Sequence, residues 1–227
     1  DYVRTYVERD VRKLLNVGDL LAFQTFLKMC AGRAGQLLNL AGLAADCGIA
    51  QPTAKRWLSV LEASYIVFRL PPLHRNWSKR LVKAPKLHFY DTGLLCWLLG
   101  IRSAADLAHH AQRGAVFESW VASELVKQRW HAGLERDLSF YRDRKGREVD
   151  LVLERGRKLD AIEVKSGQTA VGDWFDSLES FDELVAEHGV GAGSVRRIVV
   201  YGGDQRQVRE RGLVLPWSSM ADEDWGA

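Results

Sequence analysis

Cysteine is scarce in this chain, and its spacing offers no metal site. Cys30, Cys47 and Cys96 form no CxxC pair, and their odd number gives no disulfide framework. A reducing cytoplasm is the setting they suggest. Long apolar runs are also missing. The longest fall far short of the roughly 20 residues that span a bilayer, so no membrane partner is expected. The first residues, DYVRTYVERD, are charged and amphipathic, unlike a secretory signal. There is no initiator Met, so the chain is expected to be a piece of something longer. The absence of G-x-x-x-x-G-K-[ST] excludes a Walker-type phosphate loop within these residues. The six histidines show no ligand spacing, and His109–His110 reads as a surface pair.

What is present suits a folded core. Of 227 residues 47% are hydrophobic, and eight are tryptophan, enough for one large or two small domains. The net charge of +3 is unevenly spread. Residues 1–112 hold 15 Lys+Arg against 8 Asp+Glu, whereas residues 113–227 hold 17 against 21. The first half is therefore the better nucleic-acid surface, and carboxylates gather in the second.

Periodicity sets out the first half. Residues 2–15 place Val3, Tyr6, Val7, Val11, Leu14 and Leu15 at helical spacing, as a linker helix over 1–18. A helix follows over 19–34, then a short one over Leu40–Cys47 that ends at Gly48. Gln51–Pro52–Thr53 opens another, with Trp57, Leu58 and Leu61 on one side. Two β-rich runs, Tyr65–Leu70 and Lys86–Tyr90, come next. Helix, tight Gly turn, helix and β-hairpin predict a winged helix-turn-helix over 19–112. Gln51, Thr53, Lys55 and Arg56 would then face the major groove. The alternative is a solvated helix face in a module that binds protein. Between Glu62 and Asp91 there is no acid, but there are six bases: Arg69, Arg75, Lys79, Arg80, Lys83 and Lys86. With Trp77 among them they would form the wing and its loop, whose phosphate contacts make DNA the expected partner.

The second half, 113–227, reads as a helix over about Ala115–Trp130, strands near 138–142, 147–153 and 159–165, a helix over Asp173–Glu187 and a strand over Arg197–Tyr201. Residues 214–227 suggest a short strand and a ragged acidic tail. GVGAGS, 189–194, precedes a strand and is a loop, not a phosphate cradle.

Charges interrupt these strands. Asp150 stands between Val149 and Leu151, and Glu163 and Lys165 flank Val164. Side chains alternate along a strand, so Glu163 and Lys165 share a face, and Asp150 would meet Glu163 across a meander ladder. Two carboxylates this close repel unless protonated or bound to a cation, and hard oxygen donors suit Mg²⁺ or Mn²⁺. Such an ion polarises phosphoryl oxygens. Arg142, Arg144, Lys145 and Arg147 flank the neighbouring turn, either as a phosphate grip or as a solvated turn.

Glu118 in VFESWVASEL, Asp150 in EVDLV and Glu163–Val164–Lys165 in IEVKSG resemble the PD-(D/E)XK nuclease superfamily. Over nearly all 227 residues the chain also resembles the C-terminal part of prokaryotic AAA-type ATPases with a C-terminal domain of unknown function. YVERDVRKLLNVGDL, LEASYIVFRLPP, RLVKAPKLHFYDTGL, GAVFESWVASEL and REVDLVLE carry that likeness. The resemblance implies an α+β or α/β chain: a winged helix, then a restriction-endonuclease-like αβββαβ domain, behind an ATPase domain absent here. By its pattern Asp150 and Glu163 are metal ligands, Lys165 is the catalytic lysine, and Glu118 is an auxiliary ligand or holds a metal-bound water. No Pro precedes Asp150, a departure from the motif's name. The alternative is a catalytically silent DNA-binding or protein-interaction module of the same ATPase.

Overall fold

A computed structural model describes residues 20–73, 82–188 and 194–226. The expected helix over 1–18 lies outside them, as do Arg75, Trp77, Lys79, Arg80 and all of GVGAGS but its serine. The chain divides into two compact units, Asp1–Arg69 with Ala84–Trp120 and Leu70–Lys83 with Val121–Ala227. The result is a mixed α and β protein. Among the described residues no helix is long and apolar enough to cross a membrane.

The first unit opens with helices α1 (Leu20–Ala31), α2 (Leu40–Asp46) and α3 (Gln51–Ala63). Strands β1 (Val67–Leu70) and β2 (Lys86–Phe89) then form a two-stranded sheet. Helix α1 stops short of residue 34 because the chain turns at Gly35. Gly35 takes φ 73° and gives its N–H to Leu87 O. Residues 35–38 then run beside β2, with Leu37 bridged to Lys86. The Asn39 side chain caps α2 by accepting the Gly42 N–H at 3.0 Å. Helix α3 buries Ala54, Trp57, Leu58 and Leu61, and Trp57 meets the edges of Phe23 and Phe26. A helix that the sequence reading did not assign, α4 (Thr92–Leu98), begins at Asp91, whose carboxylate accepts the Leu94 N–H. Helix α5 is Ala104–His109, and α6 is Arg113–His131, of which residues 113–120 belong to this unit and 121–131 to the second.

The second unit is built on a six-stranded mixed sheet of order β3-β4-β5-β6-β8-β7. Its strands are β3 (Leu138–Arg142), β4 (Glu148–Arg155), β5 (Lys158–Lys165), β6 (Val195–Tyr201), β7 (Gln207–Arg209) and β8 (Gly212–Pro216). Strands β3, β4 and β5 are an antiparallel meander, while β5, β6 and β8 run parallel. Helix α7 (Asp176–Glu187), entered by a 3-10 turn over Gly172–Phe175, supplies the crossover between β5 and β6. It buries Leu178, Phe181 and Val185 in a core shared with Val152, Ala161 and Val199. Pro71–Leu73 flanks β3: Phe140 donates to Pro71 O and accepts from the Leu73 N–H. Beyond the undescribed stretch, the Val82 N–H reaches Arg142 O. Lys83 of the basic run thus belongs to this unit, whereas Arg69 and Lys86, on β1 and β2, belong to the first.

The short strand expected over 214–227 is β8, but the described residues beyond it are folded, not a ragged tail. Strand β8 and a 3-10 turn over Trp217–Asp222 lead to Trp225, which is buried and donates its indole N–H to Met220 O. Two of the acids that made the tail look solvated are counter-ions. Glu223 pairs with Arg196 and Arg206, and Asp224 with Arg155.

Candidate active site

Strands β4 and β5 each keep one neighbour to the end and lose the other. Strand β4 stays paired with β3 through Tyr141↔Val149 and Arg142↔Glu148. Strand β5 stays paired with β6 through Glu163↔Val199, Val164↔Val200 and Lys165↔Tyr201. The ladder between β4 and β5 ends at Leu151↔Ile162. One step further the same register sets Asp150 across from Glu163, and here the sheet forks.

At the fork a side chain replaces the ladder. Asp150 Oδ2 accepts the Val164 N–H at 2.8 Å, which satisfies a backbone donor and fixes the carboxylate. Glu163 is 8% exposed, and its Oε1 accepts a hydrogen bond from Lys165 Nζ at 2.6 Å. A buried carboxylate is costly without compensation, and this ion pair supplies it. The sequence-derived expectation that Glu163 and Lys165 share a face agrees with this contact.

The end of β5 is held by Gly202 and Gly203, the pair that follows β6. The Gly202 N–H donates to both Lys165 O and Gly167 O at 3.0 Å. A Cβ on Gly202 would lie 2.6 Å from Ser166 O, and one on Gly203 would strike the Tyr201 ring. The Tyr201 hydroxyl closes the turn, donating to Gln205 O and accepting the Gln205 N–H, each at 2.9 Å. The Gly-Gly pair after RIVVY was the available signal.

The neighbouring β3–β4 turn has its own charge structure. Asp143 is nearly buried and accepts the N–H groups of Lys145 and Arg147 and the Arg147 Nε–H. Burial pushes its carboxyl pKa up, but the Arg147 guanidinium and the two N–H groups outweigh this and hold it below the usual range. Arg142 pairs with Glu148 at 3.2 Å, so two of the four turn cations are engaged, while Arg144 and Lys145 are exposed.

Glu118 belongs to the first unit, on α6. Its Oε1 accepts from Lys86 Nζ at 2.8 Å, and His88 Nδ1 lies 3.1 Å from Ser119 Oγ. Burial, and then the Lys86 charge, lower the His88 pKa to about 3. On α3, Gln51, Lys55 and Arg56 are exposed and Thr53 is half-buried. Lys83 is exposed and belongs to the second unit.

The donors at the fork are carboxylate oxygens. Among the described residues no group of three or more His, Cys, Asp or Glu side chains forms a ready-made cage for a metal ion. Mg²⁺ commonly takes only one or two protein carboxylates and fills its shell with water and substrate phosphate, so Asp150 and Glu163 fit that mode.

Residues 1–105 match a family model described as a domain of unknown function, DUF8612. Residues 113–220 match a second, also described as a domain of unknown function, DUF4143. The chain is 32% identical over 168 residues to Uncharacterized protein Mb2031c of Mycobacterium bovis and, equally, to Uncharacterized protein Rv2008c of Mycobacterium tuberculosis. Each match takes in 74% of this chain and 37% of the relative, so the chain spans little more than a third of those proteins' length. No solved structure matches. Two successive domains of unknown function are therefore what these comparisons find in the chain.

Proposed function

We propose that the second unit is a PD-(D/E)XK-type nuclease module that hydrolyses DNA phosphodiesters with Mg²⁺ or Mn²⁺. The observation that carries this reading is the fork between β4 and β5. There the Asp150 carboxylate, the buried Glu163 and the Lys165 ammonium gather where two strands part. Asp150 and Glu163 would hold the cation, which supplies charge to polarise a phosphoryl oxygen. Asp150 enters preorganised by the Val164 N–H, so its oxygen need not be reoriented on binding. Lys165 supplies positive charge beside the developing negative charge of the phosphoryl group.

We assign the first unit as a winged helix that binds DNA. The order α1, the Leu37 bridge, α2, α3, β1 and β2 supports it, as do the exposed Gln51, Lys55 and Arg56 on α3. Arg75, Lys79, Arg80 and Lys83, which fall in the stretch assigned to the second unit, are further proposed phosphate contacts. The greater length of the relatives accommodates the AAA-type ATPase domain that we place outside this chain. We also place the protein in the cytoplasm.

One observation favours a second reading, a catalytically silent DNA- or protein-binding module. The Glu163–Lys165 ion pair compensates the buried carboxylate with the chain's own cation. Incubating linear and circular DNA with the protein and Mg²⁺ or Mn²⁺ separates the two. The nuclease reading expects cutting that needs the metal and is lost in Lys165→Ala, whereas the silent reading expects DNA retention without cutting.

A further inference from the structure

Among the described residues three acids of the second unit are nearly or fully buried: Asp143, Asp160 and Glu163. Their cations differ in kind. Asp160 is gripped by both prongs of Arg196, at 3.0 and 2.9 Å, with Arg155 at 3.3 Å. Asp143 takes Arg147 Nε together with two backbone N–H groups. Arginine's planar fork stays charged and matches a carboxylate's geometry, so both acids are locked. Glu163 pairs instead with a lysine two residues along its own strand. An ammonium on a four-carbon stem is a point charge that swings away without disturbing the backbone. The Lys165 side chain is 35% exposed, so it has solvent to swing into, while Glu163 stays fixed on β5 between Ile162 and Val164.

We propose that Lys165 is a releasable counter-ion: it holds Glu163 until a divalent cation takes its place, and the freed ammonium then serves the phosphate. This rests on the nuclease reading and adds a coupling to it. Cation binding and the Glu163–Lys165 ion pair compete for one carboxylate, so each weakens the other by the same factor. The cost of desolvating Glu163 is then met at every stage, first by the ammonium and then by the metal. The arginine-locked acids offer no such exchange and remain structural. Lys165 thereby contributes twice: it tunes cation affinity before reaction and positions charge during it.

The test is Mn²⁺ binding followed by electron paramagnetic resonance on the full chain, with thermal melts to confirm folding. Lys165→Met removes the charge and keeps the stem. It should tighten Mn²⁺ binding by about tenfold, within the usual range of coupled equilibria, and abolish cutting. Lys165→Arg, which grips Glu163 with a fork, should weaken Mn²⁺ binding and keeps the test alive if the methionine variant does not fold. Mn²⁺ should also speed acetylation of Lys165 in the wild type, read by mass spectrometry. Wild-type binding that Lys165→Met leaves unchanged or weakens, or that Lys165→Arg does not weaken, overturns the release and spares the metal site. Failure of the wild type to bind Mn²⁺ at millimolar concentration overturns both.

Discussion

Asp160 and His88 show how single buried groups govern this chain's stability. Asp160 is fully buried under two arginines. Asp160→Ala removes the buried acid but leaves Arg196 with Glu223 and Arg155 with Asp224, so the loss expected is that of charge-assisted hydrogen bonds, about 1.5–3 kcal/mol. Urea unfolding should show that loss, and a change below about 1 kcal/mol would mean that Glu223 and Asp224 suffice to hold the arginines. His88 is held neutral with its pKa lowered to about 3, against 6.5 when unfolded. Between those values the unfolded chain binds a proton that the folded chain refuses. Stability from His88 is therefore full above pH 6.5 and drains away as pH falls toward 3. His88→Gln should flatten the stability curve across that window, measured by melting temperature from about pH 4 to pH 7. An unchanged slope would contradict burial of the neutral ring. The charges at Asp150, Glu163 and Lys165 were legible because each stands among apolar strand residues. What Asp150 does with its oxygen was not, since that depends on where a ladder stops.

Among the elements, the sheet fork depends on the turn that follows β6. Gly202 and Gly203 let that turn press against Ser166, Gly167 and Tyr201. Gly202→Ala introduces a Cβ 2.6 Å from Ser166 O, against backbone that cannot yield cheaply. The expected loss is about 1–3 kcal/mol, the usual range for overpacking, and any cutting activity should fall with it. A variant as stable and active as wild type would show that the turn does not set the end of β5. Most elements of the second unit were readable from periodicity and turn residues, including the meander and the helix that precedes β6. Of the C-terminal elements the short strand β8 was expected, but β7 and the 3-10 turn were not. Gln207–Arg209 is three residues long with Val208 exposed, so β7 carries no apolar alternation. The acids near Trp225 resembled a solvated tail because their arginine partners lie far back in sequence, at Arg155 and Arg196. Helix α4 was missed because Asp91–Thr92–Gly93 reads equally as a turn and as an N-cap.

Across the whole molecule labour is divided in our proposal: the first unit binds DNA and the second cuts it. Lys55→Ala and Arg56→Ala should each weaken DNA binding across sequences and lower the salt slope by about 1 for each phosphate no longer neutralised. Fluorescence anisotropy over a salt series measures this, and slopes equal to wild type would remove α3 from the interface. The uneven charge and the change from helical to alternating periodicity suggested a boundary between residues 112 and 113, whereas the compact units divide after Trp120 and give residues 70–83 to the second. The nuclease proposal stands or falls most simply on metal-dependent cleavage of DNA by wild type and by Asp150→Asn, purified identically. Asparagine can still accept the Val164 N–H through its side-chain oxygen, so the fold should survive while charge for the cation is lost. Wild type should cut with Mg²⁺ or Mn²⁺, and the variant should fall by about 100-fold or more, the scale of removing one transition-state interaction. Equal cutting by both proteins, or none by wild type in either metal, would contradict the proposal.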